Sequence, residues 1–305
     1  MKKLPCDNLP NFFIVGAPKS GTTALAHYLS QHPNCFFSER KELHYFCPSI
    51  EYHYRISDWQ DYLSFFRDAR QGDAIGEGSV WYLYSPDAAH KIYSCVPEAK
   101  IIIMLRNPAD MLESLHQQYV WNGYEPISEL QSALTAHNDR MNGKNRPNKS
   151  IMNKKYAPAG LVYWEACFYA LQVRRFLDKF GPDAVKIVKY DDFKADTQRT
   201  FTETCQFLGI DHSFIPSFEI VNQRKSIRSR KLEHLMQRPP RAVRTLRRLR
   251  AAQALRKKIQ EANRTKPRRQ MTPELRDWVL KFYTDDISEL QEITALDLSD
   301  WLPEI

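Results

Sequence analysis

Residues 11–23 read Asn11-Phe12-Phe13-Ile14-Val15-Gly16-Ala17-Pro18-Lys19-Ser20-Gly21-Thr22-Thr23. A short apolar run that ends at a glycine is how a parallel strand buried on both faces is written. From Thr22 to Gln31 the apolar positions change to helical spacing, with Leu25 and Leu29 on one face. Strand, small-residue loop and helix in that order make an anion site. The first N–H groups of a helix have no partner within it, and they carry the positive end of its dipole. The spacing Gly16-x4-Gly21 matches the phosphate loop of nucleoside-triphosphate enzymes in its glycines only. Those enzymes need a lysine directly after the second glycine to reach the β- and γ-phosphates. Here Thr22 stands in that place, and Lys19 lies inside the loop, over a shorter phosphate group. The plainer alternative is a tight glycine turn with a surface lysine.

Outward from this unit, strands and helices alternate. Asp73–Ser79 reads as a short strand, and Lys100–Leu105, rich in isoleucine, as a buried one. Pro108 suits the first turn of a helix that runs to about Trp121. Asn138–Lys155 is polar and reads as an exposed loop. Gly160–Phe180 has helical periodicity, Ala184–Lys189 reads as a strand, and Thr197–Leu208 reads as a helix stopped at Gly209. Thr272-Pro273 is a helix-start pair before Leu275–Tyr283. This alternation predicts an α/β fold, a central mostly parallel sheet flanked by helices, with a P-loop-like strand–loop–helix phosphate site. No repeat or low-complexity linker divides the 305 residues. The expected organisation is one domain over 1–305 with a basic, largely helical insertion at about 224–270.

That insertion dominates the charge. The chain carries 44 Lys+Arg and 36 Asp+Glu, for a net +8. Between Arg224 and Arg269 lie 18 of the basic residues and only two acids, Glu233 and Glu261, so this segment is +16 and the rest is −8. A uniformly basic protein is excluded, and the apolar fraction of 43% excludes a mainly disordered chain. Arg241–Gln260 reads as a basic helix with an apolar stripe at Val243, Leu246, Leu249, Leu255 and Ile259. Three readings compete: a solvated face packed on the body, a surface helix for anionic lipid or an anionic acceptor, and a nucleic-acid site. The last lacks an aromatic platform or a recognisable module. The six cysteines have no metal or redox spacing, and no apolar run has the length of a membrane span or a signal peptide. The expectation is a soluble cytoplasmic chain with reduced thiols, peripheral to a membrane at most through 241–260. The histidines show no metal spacing, and no metal is expected.

The segment Pro18-Lys19-Ser20-Gly21-Thr22-Thr23 resembles the 5′-phosphosulfate loop of the sulfotransferases that use 3′-phosphoadenosine-5′-phosphosulfate (PAPS), in particular bacterial members related to the carbohydrate and heparan sulfate enzymes. In that family a strand ending in Arg, then a Pro, then a Ser on the next helix hold the 3′-phosphate. Arg106-Asn107-Pro108 and Ser114 match. Tyr190-Asp191-Asp192-Phe193 and Phe207-Leu208-Gly209-Ile210 match further segments, and Asn263–Met271 aligns with the C-terminal cofactor loop. The resemblance implies PAPS as cofactor, held by Lys19, Ser20, Gly21, Thr22, Thr23, Arg106 and Ser114, with Arg264, Lys266 or Arg268 near the 3′-phosphate. It implies 3′,5′-adenosine bisphosphate as product, and no metal.

Sulfuryl transfer needs a base for the acceptor proton and cations for charge developing on the leaving phosphate. Lys19 fits the second role. Arg40-Lys41-Glu42-Leu43-His44-Tyr45-Phe46 resembles the segment of the polysaccharide sulfotransferases whose glutamate is the implied base, which maps that role onto Glu42, with His44 as helper or alternative. A strand-like alternation would place Glu42, His44 and Phe46 on one face. The plainer alternative is a solvated acid and a packed histidine. The polysaccharide enzymes also carry a lysine after the glutamate of their next motif, where this chain has Glu77-Gly78-Ser79 and so no second cation at 78. The acceptor stays open among small molecules, carbohydrates and lipids. Tyr52, Tyr54, Trp59, Trp81, Tyr82 and Tyr84 either line its pocket or pack the core. A nucleoside or nucleotide kinase, and a non-catalytic membrane or nucleic-acid binding protein built on 224–269, are the competing functions. The first predicts Mg-ATP binding; the second predicts salt-dependent binding that survives loss of the phosphate loop.

Overall fold

The computed structural model describes residues 8–51, 54–142, 144, 158–219, 226–227, 258–259, 264–265 and 271–303. Strands β1 (Phe12–Gly16), β2 (Cys35–Phe37), β3 (Ala74–Gly78), β4 (Lys100–Leu105) and β5 (Val185–Lys189) form one sheet in the order β2-β3-β1-β4-β5. Every pairing in it is parallel. The α/β expectation therefore holds, with a wholly parallel central sheet.

The apolar runs are continuous because both sheet faces are covered. Along β1, Phe13 and Val15 join one buried cluster, while Phe12 and Ile14 join the other. Ile101, Ile103 and Leu105 of β4 lie with the first pair, Ile102 and Met104 with the second, which is the two-residue period of a strand. The first face is closed by α3 (Ala88–Cys95), α4 (Pro108–Asn122), α7 (Tyr169–Phe180), α10 (Pro273–Phe282) and α11 (Thr284–Thr294). The second is closed by α1 (Thr22–Leu29), α8 (Tyr190–Ala195) and α9 (Thr197–Leu208), and there the expected Leu25 and Leu29 are fully buried. Shorter helices α2 (Trp59–Ser64), α5 (Leu130–Thr135) and α6 (His137–Met141) lie in the connections.

The local signals act as read at most helix ends. Asn107 accepts a hydrogen bond from the Ala109 N–H at 3.0 Å, and Pro108 opens α4. Gly209 ends α9 with φ 77°. Thr272 caps α10, its hydroxyl accepting from the Leu275 N–H at 3.2 Å.

Two readings are corrected. The helix expected over Gly160–Phe180 begins only at Tyr169, preceded by 3₁₀ turns at Pro158–Leu161 and Tyr163–Cys167. Tertiary bonds override the periodicity. The Trp164 indole donates to the Leu134 carbonyl, the Tyr283 hydroxyl donates to the Trp164 carbonyl, and Asp286 accepts from the N–H groups of Tyr169 and Ala170. The polar stretch Asn138–Lys155 is not simply an exposed loop either. It starts within α6, and Arg140 is fully buried, donating to Glu125 at 2.8 Å and to the Leu161 carbonyl at 3.0 Å. Tyr163 donates to the other Glu125 oxygen at 2.8 Å, so both carboxylate oxygens are hydrogen-bonded inside the core. Residues 145–155 lie outside the described set.

Among the described residues five cysteines are free thiols, four of them buried: Cys35, Cys47, Cys167 and Cys205. Burial pushes the thiols of Cys35 and Cys205 up to about 12, and those of Cys47 and Cys167 up further. Among the described residues no helix is long and apolar enough to cross a membrane.

Candidate active site

Parallel pairing brings the carboxyl ends of β1, β3 and β4 to one edge of the sheet, the usual place for a ligand in such folds. The loop after β1 carries Lys19, Ser20 and Gly21 into the first turn of α1, where Thr22 and Thr23 sit. Gly21 is obligatory on two counts. Its φ is 85°, and a Cβ there would lie 3.0 Å from the Tyr190 ring. Ser20 is buried, its hydroxyl donating to the Pro18 carbonyl at 3.3 Å.

Arg106, at the end of β4, is nearly buried and donates from Nη1 to the Lys19 carbonyl at 3.1 Å. Its guanidinium lies 4.6 Å from the centroid of the Tyr190 ring. The tyrosine noted in the sequence thus stacks under the arginine and abuts Gly21. Ser114 lies on α4, nearly buried and two turns past this strand end. Beside it Glu113 accepts from the Met271 N–H at 3.2 Å, which fixes the end of the 220–270 segment against α4. Of that segment only short pieces are described: Arg264 and Thr265 pair antiparallel with Ile227 and Ser226. Lys266, Arg268 and nearly all of 241–260 lie outside the described residues, as do the side chains of β6 (Ser226–Ile227) and β7 (Arg264–Thr265).

Glu42 and His44 are brought together, though not on a strand. The alternation reading is corrected: both have positive φ, 69° and 55°, in a loop after β2. The Glu42 N–H donates to the Gly78 carbonyl at 2.8 Å and the His44 N–H to the Ser79 hydroxyl at 3.0 Å, so β3 sets the loop's path. His44 Nε2 lies 3.5 Å from a Glu42 carboxylate oxygen, the imidazole fully buried and the carboxylate about one-third exposed. Four non-glycine residues among those described have positive φ: Lys19, Glu42, His44 and Ala295. Three of the four are the sequence's catalytic candidates. Left-handed backbone costs such residues about 1–2 kcal/mol each, and strain of this kind gathers at functional sites.

The sequence reading missed two features. Lys41, passed over beside Glu42, donates from Nζ to the hydroxyls of Thr22 at 2.8 Å and Thr23 at 3.0 Å. Burial around the ammonium lowers it to about 8, with Glu42 opposing the shift, although the residue as a whole keeps some exposed surface. The second is Glu77 at the end of β3, fully buried and accepting from Ser79, from Tyr82 at 2.9 Å and from Tyr62 at 3.3 Å. Desolvation outweighs those three donors and raises its carboxyl to about 7. The aromatic residues around it are packing: Trp81 and Tyr82 are buried, and Trp59 stacks on Tyr62. Tyr54 is exposed, and Tyr52 lies outside the described residues. His116 is structural, its Nε2 lying 3.0 Å from the Ile127 carbonyl oxygen.

The Glu77 environment sets a pH dependence. Its folded pKa is raised, so the fold holds the proton more tightly than the unfolded chain, and stability falls as pH rises from about 4.5 to about 7. Glu77→Gln cannot ionise. The variant should therefore gain about 3 kcal/mol relative to the parent between pH 4 and pH 8, read from urea midpoints. A parent–variant gap independent of pH would show that Glu77 does not titrate in this range.

Three comparisons bear on this geometry. The family model described as "Sulfotransferase domain" matches residues 9–294. The bifunctional heparan sulfate N-deacetylase/N-sulfotransferase 3 of Homo sapiens is 29% identical over 219 residues, which is 68% of this chain and 23% of that protein. The membrane-associated sulfotransferase kil1 of Dictyostelium discoideum is 32% identical over 120 residues, 39% of this chain and 25% of that protein. The chain thus spans about a quarter of the length of these curated relatives. A sulfotransferase crystal structure from Alicyclobacillus acidocaldarius superposes with TM-score 0.71 at 28% identity, covering 96% of this chain and 98% of that one. With the match running over nearly all of its residues, the chain belongs to the sulfotransferase domain family.

Proposed function

We propose that this protein moves the sulfuryl group of PAPS to a hydroxyl or amine of an acceptor, with Glu42 as the base. One observation carries this reading. The one-third-exposed carboxylate of Glu42 is next in sequence to a lysine bonded to the first turn of α1, so the loop that carries the base is tied to the anion site. The residues present fit a phosphosulfate nucleotide. Lys19, Lys41 and Arg106 supply cations around the open N–H groups of a helix end, which suits an anion shorter than a triphosphate.

In the reaction the acceptor O–S or N–S bond forms as the sulfur–oxygen bond to the phosphate breaks. PAPS supplies the sulfuryl group and leaves as 3′,5′-adenosine bisphosphate. Glu42 takes the acceptor's proton, and buried His44, 3.5 Å away, holds the carboxylate in place. Lys19 meets the charge that grows on the departing phosphate. Arg106 and Ser114 hold the 3′-phosphate. The names of the relatives bring a heparan-type carbohydrate into consideration as acceptor, alongside small molecules and lipids. Labelled PAPS offered with extracts identifies the class.

Calorimetry separates this reading from a kinase. The protein is expected to bind 3′,5′-adenosine bisphosphate in the absence of Mg²⁺, and ATP at least tenfold more weakly, roughly 1.4 kcal/mol. ATP binding without bisphosphate binding would remove it.

A further inference from the structure

The second cation that the sequence lacks at position 78 is present in space. We infer that Lys41 is a binding residue for the 5′-phosphosulfate, running over the bare backbone of Gly78 to the phosphate loop; this rests on the PAPS reading above. The geometry is reciprocal. A Cβ on Gly78 would lie 3.2 Å from Lys41 Cε and 3.1 Å from Phe37 Cζ. The volume a side chain at 78 would take is therefore filled by the Lys41 stem and a ring from β2, and Gly78 is what lets the stem pass.

The hydrogen bonds point the same way. An ammonium only donates, so Thr22 and Thr23 must present lone pairs to Lys41 and turn their O–H groups elsewhere. Lys41 thus orients two hydroxyl donors in the turn whose N–H groups meet the anion. Two of its three N–H groups serve the threonines, and the third is assigned to the anion itself. A second anionic partner also answers the electrostatics. Burial disfavours the charged ammonium, and Glu42 offsets this only in part. A bound phosphosulfate supplies the missing counter-charge in a site already desolvated.

The test crosses the lysine with the ligand's 5′-phosphate and needs no acceptor. Binding of 3′,5′-adenosine bisphosphate and of adenosine 3′-phosphate is measured by calorimetry for the parent and for Lys41→Met. Loss of a charge-assisted bond should weaken the bisphosphate about 10- to 100-fold while adenosine 3′-phosphate changes by less than about twofold. Equal weakening of both ligands would show a structural role, and no weakening of either would show no role; both overturn the inference and leave the PAPS reading standing. A parent that binds neither ligand overturns the PAPS reading itself. If Lys41→Met does not fold by circular dichroism, Lys41→Gln, which keeps a donor for the threonines without the charge, runs the same cycle.

Discussion

Lys19→Ala is expected to slow sulfuryl transfer by about 10²–10³-fold, the usual loss when one donor aimed at developing charge is removed. The fold should be retained, because the bond that ties Arg106 to the phosphate loop is to the Lys19 backbone. Arg106 donates to the Lys19 carbonyl, which alanine retains. The loss therefore belongs in kcat, with bisphosphate affinity reduced less. Lys19 has φ 63°, and alanine inherits that strain. Lys19→Gly should therefore be more stable than Lys19→Ala by about 1 kcal/mol, while being equally inactive. Single-turnover transfer from labelled PAPS and thermal melts measure both. Near-normal transfer by either variant would take Lys19 out of the chemistry.

The second large effect is Glu42→Gln, expected to cost about 10²–10⁴-fold in transfer, the range of a positioned general base. Glutamine keeps the shape and the backbone bond to Gly78, so bisphosphate binding should stay within about twofold of the parent. His44→Ala is a less clean variant. The ring is fully buried and its Nδ1 lies 3.8 Å from the Cys47 sulfur, so its removal leaves a hole and lowers stability as well as rate. A fully active Glu42→Gln beside a dead but folded His44→Ala would move the base to the histidine.

How far the chain could be read depended on where the information lay. The strands β1, β4 and β5 and the helices α4 and α9 are written locally, in apolar runs, a capping Asn-Pro and a terminal glycine. β2 is three residues long and exists because β3 pairs with it, so no local pattern announces it. Arg140 was hidden by polar neighbours, since its acceptor, Glu125, lies 15 residues away. The site divides in the same way. The phosphate loop and Arg106 were legible as motifs. Glu42 and His44 do lie side by side, but on a different backbone from the one expected, because two left-handed residues look like alternation in sequence. Lys41 was missed because a missing cation was sought at position 78, where a motif would put it. A charge need only reach the place, and the neighbouring strand end can send it.

The buried cysteines lead in another direction. A thiol must ionise and meet reagent before it can be alkylated, and Cys35, Cys47, Cys167 and Cys205 are denied both while the fold is closed. Cys35 and Cys205 belong to the cluster on one face of the sheet, Cys47 and Cys167 to the cluster on the other. The native chain thus carries a chemical clock on each side of the sheet, and timed labelling followed by peptide mass analysis reports whether the two layers open together or one ahead of the other.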